Sequence, residues 1–311
     1  MCLYPKIIEN RRYVPNKKNG GIAPTPKDER LRAVAVGCGK CIECRKQKAR
    51  EWQARLCEEI KEDARGKFMT MTFSDEAFEE MDPNNIMEAN EFAAMAIERF
   101  RKRWYKKYGE GIKHWLITEL GHGKHSAEHR STERLHLHGF IWTDKTDQEI
   151  EEVWKYGWVD TGEYVNERSV GYCVKYVSKA DPVHKEFNGK IFASKGLGKG
   201  FLKRGDTRIN EYNGENTKEY YRTPSGIKIA LPMYYRNKIW TDEQREELWL
   251  QKLDAGDRYV RGEKINTNTR EGEIEYIKAV QYRQAENEAL GYSSEPWSKK
   301  SYKKVREKFG L

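Results

Sequence analysis

The stretch Leu135-His136-Leu137-His138-Gly139-Phe140 decides how this chain is read. Apolar and histidine residues alternate with the period of a strand. His136 and His138 therefore share one face, about 7 Å apart, while Leu135, Leu137 and Gly139 turn toward a core. Two imidazoles side by side on a strand can ligate a divalent cation. Downstream, Tyr172-Cys173-Val174-Lys175-Tyr176-Val177-Ser178-Lys179 has the spacing of a helix. Tyr172 and Tyr176 are four residues apart on one face, and Lys175 and Lys179 form a second such pair beside them. A cation that polarises a phosphate, next to two phenol nucleophiles, suits breaking and rejoining a nucleic-acid strand through a covalent phosphotyrosine.

Two histidines leave a metal site incomplete. Glu119 closes the strand Trp115-Leu116-Ile117-Thr118-Glu119, and antiparallel pairing with the histidine strand would bring its carboxylate to the same face. Two imidazoles and a carboxylate leave coordination positions open, as a catalytic ion requires, and suit Mn²⁺ or a site that accepts Mg²⁺ or Mn²⁺. His114, His122, His125, His129 and His184 show no comparable spacing and read as solvated, the 122–129 loop being a second candidate. A phenol ionises near pH ~10, so a tyrosine nucleophile needs help, and an ammonium from Lys175 or Lys179 can favour its anion or neutralise a phosphate oxygen.

Lys and Arg number 58 and Asp and Glu 49 among 311 residues, a surplus of nine positive charges that suits a polyanionic partner. No apolar run approaches the roughly 18 residues of a membrane span, and Met1-Cys2-Leu3-Tyr4-Pro5 is not a signal peptide, so a cytosolic protein is expected. Six cysteines in a reducing compartment do not suggest disulfides. Cys38-x2-Cys41-x2-Cys44 has metal-knuckle spacing, with Cys2 available as a fourth ligand, and points to structural zinc, an iron–sulfur cluster being the less favoured occupant.

Residues 1–37 read as irregular, 42–65 as a charged helix, 68–73 as a strand, 86–108 as a helix and 112–120 as a strand. The histidine strand spans 134–143, a short helix 147–156, a further strand 158–165 and the tyrosine helix 169–180. This order implies an α+β domain with an antiparallel sheet backed by helices. Lys195-Gly196-Leu197-Gly198-Lys199-Gly200 is glycine-rich but not a P-loop, and reads equally as a surface turn or a phosphate cradle. The expected divisions are a Cys-rich segment and helix over 1–65, a core over 66–181, an extension over 182–240 and a charged, partly ordered tail over 241–311.

Phe68-Met69-Thr70-Met71-Thr72-Phe73, His136-Leu137-His138 and Tyr172-x3-Tyr176-x2-Lys179 stand in the order of three motifs of HUH rolling-circle replication initiators. The chain resembles that family, and most nearly the initiators of small single-stranded DNA phages, the Microviridae, of gokushovirus type. Cys38-Gly39-Lys40-Cys41-x2-Cys44-Arg45, Thr118-Glu119-x-Gly121 and Pro232-x-Tyr234-Tyr235 extend the resemblance to about residues 38–240. One departure is Arg134-Leu135, where this type tends to have Arg-Pro. The resemblance implies a ferredoxin-like nuclease domain that nicks origin duplex DNA in the bacterial cytoplasm. One tyrosine would become linked to the 5′ phosphate while the free 3′ hydroxyl primes a host DNA polymerase. The second tyrosine would cut the regenerated origin, and a host helicase would unwind the strands. Three other readings remain open at this point: a relaxase or transposase with the same chemistry, a noncatalytic zinc-containing nucleic-acid-binding protein, and an RNA-processing nuclease.

Overall fold

The computed structural model describes residues 1–121, 134–162, 165–181, 184 and 187–297. Strand β1 (Lys6–Glu9) pairs antiparallel with β2 (Ala33–Val36), so the segment that reads as irregular carries a short ladder. Both strands are four residues long and half exposed, too short for their alternation to stand out. Helix α1 (Ile42–Glu62) leads into β3 (Gly66–Thr72), α2 (Asp75–Met81), α3 (Ala89–Tyr108), β4 (Lys113–Leu120) and β5 (Leu135–Trp142). Then come α4 (Asp147–Trp154), β6 (Val159–Thr161), α5 (Glu167–Ser178) and β7 (Ile191–Ala193). A hairpin of β8 (Tyr220–Arg222) and β9 (Lys228–Ala230) precedes α6 (Met233–Ile239). Helix α7 (Asp242–Ala255), a hairpin of β10 (Asp257–Val260) and β11 (Glu263–Asn266), and α8 (Arg270–Ala289) complete the described elements.

The chain divides into two compact units. One comprises residues 1–47, 212–217 and the described residues from 240 onward; the other comprises the described residues of 48–211 and 218–239.

The second unit is a mixed α/β structure around a five-stranded, wholly antiparallel sheet of order β6-β3-β5-β4-β7. The histidine strand β5 lies at its centre. Alternation gives the sheet two apolar faces. Met69, Met71, Leu116, Leu135, Leu137 and Ile141 pack under α3 and α4, which contribute Phe92, Ala96, Phe100, Ile150 and Trp154. Trp115, Ile117, Phe140 and Trp142 pack on the other face with Leu56 and Cys57 of α1 and Val170, Cys173, Val174 and Val177 of α5. Gly139 is required at the centre of this sandwich, because any Cβ there would strike the Trp115 carbonyl and the Leu116 backbone.

Differences from the sequence reading lie at the edges. Helix α2, capped by the Ser74 side chain accepting from the Ala77 amide, was not expected. The strand expected over 158–165 is only three residues long, and β7, equally short, closes the far edge. The glycine-rich loop is neither a surface turn nor a cradle. Gly198 is buried, its N–H donates to Glu59 at 2.6 Å and its carbonyl accepts from the Tyr235 hydroxyl at 2.8 Å. With its amide committed to a carboxylate, the loop is packed as structure.

Candidate metal and tyrosine site

Strand register brings the site together. Across the sheet Glu119 of β4 is paired with His136 of β5, and Thr70 of β3 with His138. Both imidazoles turn Nε2 toward one carboxylate oxygen, Oε2 of Glu119, at 3.3 Å from His136 and 3.1 Å from His138. The other ring nitrogens are held from behind. Nδ1 of His136 lies 2.9 Å from the Arg134 carbonyl, which only accepts, so Nδ1 carries the proton and Nε2 presents its lone pair. Nδ1 of His138 is 3.1 Å from the Thr70 hydroxyl. Ligand atoms of Glu119, His136 and His138 all lie within 4.8 Å of one another, a donor set that fits a divalent cation.

Lys179, the C-cap of α5, donates to the second Glu119 oxygen at 2.8 Å. Burial works against ionising the Glu119 carboxyl, but hydrogen bonds from both imidazoles and Lys179 outweigh it and hold the group well below the usual carboxylate range.

Helix α5 forms here because Asn166 caps it, accepting from the Arg168 and Ser169 amides, and because Val170, Cys173, Val174 and Val177 make a continuous buried stripe. The adjoining stripe carries the phenols to the histidines. The Tyr176 ring stacks on His138 with centroids 4.7 Å apart, and Tyr172 leans on Phe68 at 6.1 Å. The Tyr176 hydroxyl donates to the Tyr172 hydroxyl at 2.6 Å. Burial first, then the Tyr172 hydrogen bond and the Glu119 charge, push the Tyr176 phenol well above its ordinary value. Tyr172 is half exposed.

The first unit holds a second cluster. The sulfurs of Cys2, Cys38, Cys41 and Cys44 also lie within 4.8 Å of one another. Backbone N–H groups converge on them: Tyr4 and Cys38 donate to Cys2 Sγ at 3.3 and 3.1 Å, and Cys41 donates to Cys38 Sγ at 3.3 Å. Hydrogen bonding with Cys2 pulls the Cys38 thiol down to about 6. Helix α8 braces the cluster, since the Ile42 amide donates to Asn287 at 2.9 Å and Arg283 pairs with Glu43 at 2.8 Å.

Residues 66–181 match the sequence model of a family described as replication-associated protein ORF2. The chain is 26% identical over 244 residues, 67% of its length and 70% of the relative's, to replication-associated protein ORF2 of Spiroplasma virus 4. It is 21% identical over 313 positions, 90% of its length and 91% of the relative's, to replication-associated protein VP4 of Bdellovibrio phage phiMH2K. The similarity is to phage replication-associated proteins. No solved structure matches the chain.

Of the residues singled out in the sequence, the structure gathers Glu119, His136, His138, Tyr172, Tyr176 and Lys179 on one sheet face, within the stretch that the replication-associated family matches. Lys175 is exposed and makes no ion pair or ring contact with this group among the described residues. Two histidines that read as solvated are not. His114 is buried against the Ile112 carbonyl at 3.0 Å, and His184 pairs with Asp181 at 3.1 Å. His122, His125 and His129 lie outside the described residues. Thr70 and the Arg134 carbonyl, which orient the imidazoles, are the supports that reading by motif missed. The alternation of Phe68, Thr70 and Thr72 was the available signal for the first, whereas a backbone carbonyl leaves none.

Proposed function

We propose that residues 66–181 form a ferredoxin-like HUH endonuclease and that the chain initiates rolling-circle DNA replication of a small single-stranded DNA phage of the Microviridae. The carrying observation is that two phenol oxygens 2.6 Å apart stand beside a Glu119–His136–His138 donor set on one sheet face. Similarity to replication-associated proteins supports the biological setting.

Glu119, His136 and His138 would hold Mg²⁺ or Mn²⁺. When bound, such an ion polarises the scissile phosphate and offsets its negative charge. The residues supply the rest. A tyrosine oxygen attacks phosphorus in line; the Tyr O–P bond forms as the P–O3′ bond breaks, the phenol gives up its proton and the departing 3′ oxygen takes one up. The product is a 5′-phosphotyrosine and a free 3′ hydroxyl. Reversal of the same exchange by a 3′ hydroxyl closes a circle, and no nucleotide is consumed because the phosphodiester energy is kept in the tyrosyl ester. Lys179, bound to Glu119, orients the carboxylate and places positive charge beside the phosphate. Its partners would be single-stranded DNA and origin duplex DNA, with a host helicase and polymerase in the bacterial cytoplasm. Among the described residues no helix is long and apolar enough to cross a membrane.

The test is covalent capture. Protein, Mn²⁺ and labelled single-stranded DNA should give a band that survives denaturing electrophoresis and disappears in EDTA. A wild-type protein that never forms the adduct leaves the noncatalytic nucleic-acid-binding reading in its place.

Cys2, Cys38, Cys41 and Cys44 would hold structural Zn²⁺, a closed four-sulfur set with no open position for chemistry. Elemental analysis of purified protein should find about one zinc per chain after mild EDTA treatment. Cys41→Ser should lose that zinc and lower the melting temperature. Absence of both zinc and iron, with all four thiols freely alkylated, would reject the site.

A further inference from the structure

We infer that Trp158 is a stacking platform for a base of the single strand whose phosphate is held at Glu119, His136 and His138; this rests on the nuclease reading above. Strand β6 pairs with β3 so that Val159 faces Met71 and Asp160 faces Thr70. Val159 is buried in the core under α3 and α4, so alternation directs Trp158 and Asp160 to the opposite face, that of the histidines. The backbone pins Trp158 beside Thr72: the Thr72 amide donates to the Trp158 carbonyl at 2.9 Å, and the Trp158 amide donates to the Thr72 hydroxyl at 2.9 Å. Thr72 is in turn paired with His136, and His136 with Glu119. One row across the sheet therefore reads Trp158, Thr72, His136, Glu119. Two strand spacings, about 10 Å, separate the Trp158 and His136 backbones.

The indole is 56% exposed, whereas Trp104, Trp115, Trp142 and Trp154 of the same unit are buried. Among the described residues it makes no ring contact and its N–H donates no hydrogen bond. A large apolar ring left in water beside a polar site forgoes burial that a stacked base would supply. Charge orders the row. Lys179 stands at the Glu119 end, where it attracts phosphate, and the exposed Asp160 carboxylate stands at the Trp158 end, where it repels phosphate and leaves the place to a base. A stacked base must be unpaired, so the platform selects single-stranded over duplex DNA.

The experiment compares the full chain with Trp158→Ala and Trp158→Phe. Fluorescence anisotropy with labelled oligothymidylate in EDTA should show about ten-fold weaker binding for the alanine variant and near wild-type binding for phenylalanine. Duplex binding and melting temperature should be unchanged in both. With Mn²⁺ and a pool of random-sequence single strands, sequencing the captured adducts identifies the cut. An abasic position beside that cut should then raise KM for the wild type and leave Trp158→Ala unaffected. Equal oligothymidylate affinity in the alanine variant, or equal abasic sensitivity in both proteins, overturns the platform. A wild type that captures no strand overturns the nuclease reading instead, and the anisotropy comparison still decides whether Trp158 stacks.

Discussion

A chain carrying Tyr172→Phe and Tyr176→Phe together should form no covalent DNA adduct, whereas each single variant should still form one. The phenol oxygens are 2.6 Å apart, so one phosphate beside them is within reach of either. Phenylalanine removes only the hydroxyl. It keeps the ring that stacks on His138 and the ring that leans on Phe68, so the fold of α5 is preserved. Two nucleophiles matter for repeated rounds, because the first remains esterified while the second cuts the regenerated site. Each single variant should therefore nick once and fail to release closed circles. A gel for labelled adduct and an assay for circular product separate the two steps. If Tyr176→Phe removes every adduct while Tyr172→Phe completes full rounds, Tyr172 is a packing residue and the protein a single-tyrosine nickase. An adduct from the double variant would remove tyrosine chemistry altogether.

The other large effect belongs to the histidines. His136→Ala should slow nicking by roughly a thousand-fold, because a catalytic cation stabilises developing charge by several kcal/mol and each decade of rate corresponds to about 1.4 kcal/mol. His138→Ala should cost at least as much, since it also removes the surface on which Tyr176 stacks and the partner of the Thr70 hydroxyl. Glu119→Ala should weaken cation affinity and release Lys179 from its partner. His136 is the cleaner test, its nearest support being a backbone carbonyl that the substitution leaves in place. The measurements are single-turnover nicking rates across a Mn²⁺ titration, with melting temperatures to show that the fold survives. Undiminished cleavage by the His136 variant in EDTA would reject the site.

Reading period alone was enough for the centre of this molecule. Alternation from Leu135 to Phe140 marks a strand with two imidazoles on one face, and the stripe of Val170, Cys173, Val174 and Val177 leaves both tyrosines together beside it. Long elements repeat their pattern several times, which is why α1, α3, β4 and β5 fall close to their expected bounds. Strands of three residues repeat nothing, so β7 was invisible and β6 was drawn too long.

The sequence by itself determined which side chains share a face within one element, because that follows from local backbone geometry. Which faces meet was left to the tertiary structure. Glu119 reaches His136 only in the register observed, and a slip of one residue would turn its carboxylate into the opposite core. Cys2 joins Cys38 across 36 residues, and Trp158 enters the Glu119 row through two intervening strands. Such meetings depend on strand order and register, which the packing of both sheet faces decides together and no local period encodes.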